Sequence, residues 1–401
     1  MLPVTVALLL VLNGGAPAQA PETVTLEAAL AEATARAPGI AGAHAREALA
    51  RGEVELARTV APLAVSLGGG WNDPRWSVGL AQRLPAPGAR GARVLAAEQG
   101  VLAAEGERRA NEASVRAEAR RAYFSLVHAK QLVATATRAL EIARESEAAA
   151  RLRFETGAAP ELDVVQAGLA RASAEAQLLT QQGEQAALCA ELALLLGREP
   201  LRPLDPTDSG PPPLPPLEEL LMRAGQAPLA QARQADLAAA DATLRAARRE
   251  RWPVPIVGVA VEGDGPRGAM VSLRGSLDLD VPLPGLGRGE VDRATASLHL
   301  AGALADEDRR RRLAELVAAH RRLSAALAAL QRFPKEILPA AETSERMALE
   351  SYRAGRSALA SLNDARRAAT DLRAQAADAA LAAQAAFAAL ELAAGVALDE
   401  K

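Results

Sequence analysis

Arg153-Phe154-Glu155-Thr156-Gly157-Ala158-Ala159-Pro160-Glu161-Leu162-Asp163-Val164-Val165-Gln166-Ala167 separates two long helical patterns. The first stops at Gly157 and the second starts just after Pro160. The arrangement returns as Ser351-Tyr352-Arg353-Ala354-Gly355-Arg356-Ser357-Ala358-Leu359-Ala360-Ser361-Leu362-Asn363-Asp364-Ala365, 198 residues later. Each copy has an aromatic residue three before its glycine and an alanine ten after it. Glycine ends a helix because it tolerates the left-handed conformation of the cap, and proline opens one because its missing N–H is not needed there. Each copy is therefore predicted to be the tip of a helical hairpin, and the chain is predicted to be a duplication.

Apolar residues make up 50% of the 401-residue chain, yet aromatics only 2%. Alanine supplies about half of the apolar count; it favours helix but buries little surface. That balance predicts long, closely packed helices rather than a thick core. The net charge of -3 gives no reason to expect a nucleic-acid partner. The single cysteine, Cys189, excludes an intrachain disulfide and is expected to be a small buried residue.

Residues 1–20 read as a secretory signal, with an apolar run from Val4 to Leu12 and Ala18-Gln19-Ala20 as the cleavage site. No Lys or Arg precedes the run, and no cysteine follows the cleavage site to take a lipid. Beyond it, no unbroken apolar run reaches the ~18 residues of a membrane-spanning helix. Export without such a helix leaves the periplasm, secretion or an outer-membrane β-barrel.

Two stretches change period. After a helix that begins near Thr25 and is interrupted at Ala37-Pro38-Gly39, Leu63, Val65, Leu67, Gly69 and Trp71 alternate with small residues. Asn72-Asp73-Pro74-Arg75 turns, and Trp76, Val78, Leu80, Gln82 and Leu84 alternate in the same way. This strand pair, 63–84, is long enough to cross a membrane as tilted strands, with Trp71 and Trp76 where an aromatic girdle would lie. An ordinary soluble hairpin would alternate too. The second pair, 254–281, is sharper. Val271, Leu273, Leu277 and Leu279 share one face; Ser272, Arg274, Ser276, Asp278 and Asp280 share the other. Charges on one face suit either a water-filled lumen or a solvated sheet.

Ala92 to Glu155 contains no proline and would make an arm of roughly 96 Å. Glu161 to Leu196 returns. The proline-rich 201–216 reads as a linker between a first repeat, 21–200, and a second, 217–401. The second arm differs by Pro334 and Pro339, which are expected to kink or break it. The glycines after Pro282 lack the spacing and the βαβ setting of a dinucleotide loop.

Four strands cannot close a barrel, and open edges in lipid leave unsatisfied backbone groups. Two copies give eight strands with a filled interior; three give twelve, wide enough for a pore. The fold class expected is mainly α with membrane β: duplicated helical hairpins forming a trimeric α-helical barrel, and four strands per chain in a 12-stranded β-barrel.

The chain resembles the bacterial outer-membrane efflux proteins, the TolC-like channels, over its mature length. The resemblance rests on the leader, the duplication, one strand pair per half, the Leu84-Pro85 and Val281-Pro282 strand exits and the two aromatic-x-x-Gly tips. The short turns and the Pro334/Pro339 arm look most like members serving cobalt-zinc-cadmium cation exporters. The resemblance implies a homotrimeric exit duct in outer-membrane lipid, reaching into the periplasm to a periplasmic adaptor and an inner-membrane pump. It implies a periplasmic gate near the helix starts, with Asp163, Gln166, Ser361, Asp364 and Arg367 as constriction candidates. Phe154, Gly157, Tyr352, Gly355 and Arg356 become adaptor-docking candidates. Family members often carry two aspartates in the second tip; here Ser361 replaces one and Asp364 keeps the other. Arg356, Arg366 and Arg367 are placed to pair with acids such as Asp163.

No catalytic constellation, cofactor motif or metal site is visible: His44, His128, His299 and His320 share no ligand spacing with each other or with Cys189. An enzyme is not expected. The other readings are a periplasmic adaptor, which predicts one hairpin and soluble β-domains, and a secreted structural coiled coil, which has no use for alternating strands.

Overall fold

Strand β1 (Glu22–Val24) leads into helix α1 (Leu26–Arg36), where Thr25 caps the helix by accepting the Ala28 N–H at 3.3 Å. Helix α2 (Pro38–Arg58) follows directly, so the interruption at Ala37-Pro38 separates a short helix from a longer one. The chain then runs through β2 (Ala64–Gly69), β3 (Trp76–Arg83), α3 (Ala89–Glu155), α4 (Glu161–Leu195) and β4 (Leu204–Pro206). The second half gives α5 (Leu217–Ala224), α6 (Pro228–Arg249), β5 (Val254–Asp264), β6 (Met270–Asp280), α7 (Arg288–Arg332), α8 (Leu338–Arg353) and α9 (Leu359–Ala394). This computed structural model describes residues 22–207, 210–281 and 288–398. The leader at 1–20, part of the linker and the glycine-rich segment 282–287 lie outside the described residues.

Strands β2, β3, β5 and β6 form one antiparallel sheet in that order, so β2 and β6 are its two edges. The register places apolar residues opposite one another across the sheet. Val65 pairs Leu80, which pairs Val259; Leu67 pairs Val78, which pairs Val261 and then Leu273. Most of this face is exposed in the single chain. The opposite face carries Arg83 and Asp280, 2.8 Å apart, and Glu262 and Arg274, 3.1 Å apart. Strand β2 is shorter than the nine residues expected, because Gly68, Gly69 and Gly70 supply no side chains to hold the ladder beyond Gly69.

Two compact units divide the chain. The first holds residues up to Ala37, Glu118–Pro211 and Ala326–Ala385; the second holds Pro38–Ala117, Pro212–Ala325 and the residues from Ala386 on. In the first, β1 and β4 pair in parallel, a strand pair that the proline-rich linker hides from a sequence reading. Pro206 is tolerated because it ends a two-stranded edge. The buried Tyr123 hydroxyl reaches Val24 O at 2.9 Å and Thr207 O at 2.7 Å, fixing this pair to α3. Cys189 is half-buried rather than buried, since its Sγ accepts the Leu204 N–H at 3.2 Å beside the linker.

In the second unit, Gly106 of α3 lets α6 approach closely: a Cβ there would lie 2.7 Å from Pro228 O and 2.8 Å from Ala232 Cβ. Arg233 of α6 binds Asp308 of α7 at 2.8 Å and Asp236 at 2.9 Å. Farther along the same two helices Leu244 and Ala247 pack with Ala294.

Pro334 and Pro339 do not break the second arm. Phe333–Ile337 forms one π-helical turn between α7 and α8, in which the Leu338 N–H bonds to Phe333 O. The wider turn absorbs the N–H that Pro334 lacks, so the departure stays local. Among the described residues α9 alone is long and apolar enough to cross a membrane as a helix. Ala383, Phe387, Ala388 and Leu390 are buried along it, which marks it as a core helix.

Candidate functional site

Both hairpin ends lie in the first unit and have the same backbone. Gly157 N–H bonds to Phe154 O at 2.9 Å and Ala158 N–H to Arg153 O at 2.8 Å. Gly355 N–H bonds to Tyr352 O at 2.9 Å and Arg356 N–H to Ser351 O at 2.9 Å. These are Schellman caps, with Gly157 at φ 70° and Gly355 at φ 67°. The duplication read from sequence is thus a duplication of geometry. Pro160 stands as the N-cap of α4, one residue ahead of the helix.

The side chains break the symmetry. Tyr352 is 8% exposed and packs with Ala150, Ala167, Leu359 and Leu362, residues of both hairpins. Phe154, its equivalent, is 44% exposed. The Arg153 guanidinium lies 4.7 Å from the Tyr352 ring centroid, a cation–π contact joining the tips. Tyr352 therefore holds the tips together, while Phe154 presents apolar surface. Gly157, Gly355 and Arg356 are exposed beside it.

Of the constriction candidates, Gln166, Ser361, Asp364 and Arg367 are exposed and Asp163 is half-buried. Asp163 sits in the first turn of α4, where the helix dipole favours a carboxylate. The expected pairing of Asp163 with Arg356, Arg366 or Arg367 is not formed among the described residues. Arg366 turns instead to Ser146 of α3, and burial pushes its guanidinium below the usual arginine range. Glu345 and Glu145 pull it back up, and Arg353 pushes it further down. Arg366 thus links the two hairpins, and the sequence offers no local sign of which acid or hydroxyl it meets.

Ion pairs missed from sequence tie the helices just behind the tips. Arg171 of α4 binds Glu147 of α3 at 2.7 Å, and Arg373 of α9 binds Glu345 of α8 at 3.0 Å. A cavity of about 160 Å³ lies among these helices, lined by Ser146, Ser173, Gln177, Asn363 and Thr370 with Arg366. Farther along α3, His128 meets Asp378 at 2.7 Å. Among the described residues no three His, Cys, Asp or Glu side chains group to hold a metal.

Comparison with known proteins bears on the whole of this arrangement. Residues 29–198 match the family model described as outer membrane efflux protein. No curated protein matches the chain by sequence. Among solved structures, CusC aligns at 19% identity with a TM-score of 0.80, over 93% of this chain and 92% of its own. The outer membrane protein VceC of Vibrio cholerae aligns at 20% identity and 0.79, over 93% and 97%. The open-state outer membrane channel MtrE of Neisseria gonorrhoeae aligns at 19% and 0.74, over 92% and 89%. The fold is that of these outer-membrane channels.

Proposed function

We propose that this chain, an outer membrane efflux protein by the sequence of its first repeat and by its fold, is the outer-membrane exit duct of a tripartite efflux system. It passes substrates delivered by an inner-membrane pump through a periplasmic adaptor. The observation that carries this reading is the four-stranded sheet with one largely exposed apolar face and, among the described residues, two unpaired edges. An open edge is untenable in lipid, so the sheet needs further copies to close. Three copies give twelve strands and a lumen, with Arg83, Asp280, Glu262 and Arg274 facing water.

A second seam supports self-association. Along α4, Leu162, Val165, Leu169, Ala172, Ala176 and Leu179 recur at three- and four-residue spacing and are all exposed. That is the unfilled a/d seam of a coiled coil, suited to a neighbouring copy in a homotrimer. The domain plan is a leader at 1–20, repeats at 21–200 and 217–401 and a linker at 201–216. The tips at Gly157 and Gly355 are the adaptor-facing end, with Phe154 and Arg356 as its exposed contacts. Asp163, Gln166, Ser361, Asp364 and Arg367 edge the gate. Three copies of Asp364 would form a cation-attracting ring, weakened where Ser361 carries no charge.

The test is to fractionate membranes and reconstitute the protein. A heat-modifiable trimer in the outer-membrane fraction that conducts ions across planar bilayers is expected. A soluble periplasmic monomer without conductance would overturn the reading.

A further inference from the structure

The cavity of about 160 Å³ behind the tips lies wholly within the first unit, between its two hairpins. Arg366 lines it from α9. The Nη1 of Arg366 donates to Ser146 of α3, whose own hydroxyl proton goes to Ile142 O at 2.8 Å. Its Nε is buried and makes no hydrogen bond among the described residues, and the guanidinium forms no ion pair there. A guanidinium keeps its proton at any ordinary pH, so a half-buried positive charge stands without a counter-ion. The nearest candidate on the cavity wall, Glu345, is held by Arg373 at 3.0 Å. Arg367 and Asp371, the other charged residues lining the cavity, are exposed and opposite in sign.

With Nη1 engaged, Arg366 keeps its Nε–Nη2 edge, two parallel N–H donors at the spacing of carboxylate oxygens. Asn363 and Ser173 add side chains that make no hydrogen bond among the described residues. Thr370 adds none, because its hydroxyl donates to Arg366 O at 2.9 Å. The rest of the wall is small and apolar: Ala139, Ile142 and Ala143 of α3 with Ala170 and Ala174 of α4. An apolar cavity of roughly 150 Å³ takes up benzene, so the space admits a body of about one ring. One uncompensated cation matches one negative charge, and a second would meet Glu345 and Asp371. A bare inorganic anion would leave the alanine wall uncovered. On α4, Ala170, Ser173, Ala174 and Gln177 share a face distinct from the seam of Leu162, Val165 and Leu169, so the cavity and that seam are separate surfaces.

We propose that this cavity binds a small organic monocarboxylate, with its carboxylate on the Nε–Nη2 edge of Arg366 beside Asn363 and its apolar body against Ile142, Ala143, Ala170 and Ala174. A ligand seated there touches α3, α4 and α9 and so bridges the two hairpins just behind their tips. The site belongs to the first unit alone and is independent of the sheet that carries the reading as a duct.

The experiment titrates the full mature chain in detergent with benzoate, by calorimetry and by the shift of the thermal melt. Benzyl alcohol, acetate and phthalate are run beside it, to remove the charge, remove the ring and add a second charge. Benzoate is expected to bind about tenfold or more tighter than each of the three and to raise the melting temperature. Arg366→Gln should abolish binding, and Arg366→Lys should weaken it about tenfold, because an ammonium keeps the charge but lacks the paired donors. Ala174→Leu, which fills the apolar end and leaves Arg366 in place, should weaken benzoate and spare acetate. No binding of benzoate, equal binding of benzyl alcohol or acetate, or unchanged affinity in Arg366→Gln overturns the proposal. Displacement of benzoate by equimolar phosphate would make this a general anion site and overturn the carboxylate. Planar-bilayer conductance of the same protein reports separately on the duct, so a conducting protein that takes up no benzoate loses this site alone.

Discussion

Arg153 stacks over Tyr352, 4.7 Å from guanidinium to ring centroid, so the last turn of one hairpin arm is fastened to the last turn of the other. The two residues are not equivalent by the repeat: Tyr352 answers to Phe154, and Arg153 answers to Ser351. The contact joins the tips by an asymmetric pair, and the physical consequences of substituting either copy differ.

Tyr352→Ala removes a buried aromatic side chain and should cost ~3–5 kcal/mol of tip stability. Phe154→Ala, at an exposed position, should cost under ~1 kcal/mol in the isolated chain. The buried Tyr352 hydroxyl makes no hydrogen bond among the described residues, so Tyr352→Phe should be neutral or stabilising by up to ~1 kcal/mol. Limited proteolysis at the tips with thermal melts of the three variants checks the order. Equal losses for Phe154→Ala and Tyr352→Ala would remove the asymmetry.

Glycine acts for two separate reasons in this chain. At Gly157 nothing lies within 4 Å of an added Cβ, so Gly157→Ala should cost only the ~1 kcal/mol of a left-handed alanine. Gly106→Ala drives a methyl into Pro228 O and Ala232 and should cost ~1–3 kcal/mol as the helices part. Denaturant midpoints of the two variants should rank Gly106→Ala as the worse.

The two faces of the sheet should respond in opposite ways to charge. Val259, paired between Leu80 and Gly275, is central on the apolar face. Val259→Arg should cost ~2–4 kcal/mol if it meets lipid near the midplane. Ser276→Arg, on the other face, should assemble normally and alter ion selectivity. The yield of heat-modifiable oligomer measures the first and reversal potentials the second. Normal assembly of Val259→Arg would count against a membrane-facing surface.

At the gate, Asp364→Ala should raise single-channel conductance and lower cation preference by removing a ring of charge. Unchanged conductance and selectivity would remove Asp364 from the constriction.

Acid should weaken the first unit through Glu32. Arg198 donates to both of its oxygens, at 2.8 and 2.7 Å, and holds the carboxyl below its ordinary 4.5. A carboxylate with a depressed folded pKa contributes stability above its unfolded value and loses it as pH falls through the folded one. Melting temperature should therefore decline below pH 4.5 in the native chain, and Glu32→Gln should flatten that decline. An identical acid slope in both proteins would show that Glu32 is not the group responsible.

Much of this was legible because it depends on near neighbours in the chain. The glycine caps at 157 and 355, the Thr25 cap and the α1–α2 break are local steric and hydrogen-bonding choices. The strand faces at 76–83 and 270–280 follow from a period of two. The β1–β4 pair was hidden because a strand of three residues has no period to read. The π turn at 333–337 was read only as a disruption, since the sequence shows a missing N–H but not the five-residue bond that compensates.

The sequence by itself determined the duplication, the tips, the order of the long helices and of the four long strands, and the two faces of those strands, because side-chain period and backbone sterics act over a few residues. Tertiary structure alone decided that Tyr352 turns in while Phe154 stays out, that Arg366 meets Ser146 rather than Asp163, and that Arg83, Arg93, Glu250 and Glu290 share one cavity. Those outcomes depend on which helix or strand from a distant part of the chain lies alongside, and no short-range pattern encodes that neighbour.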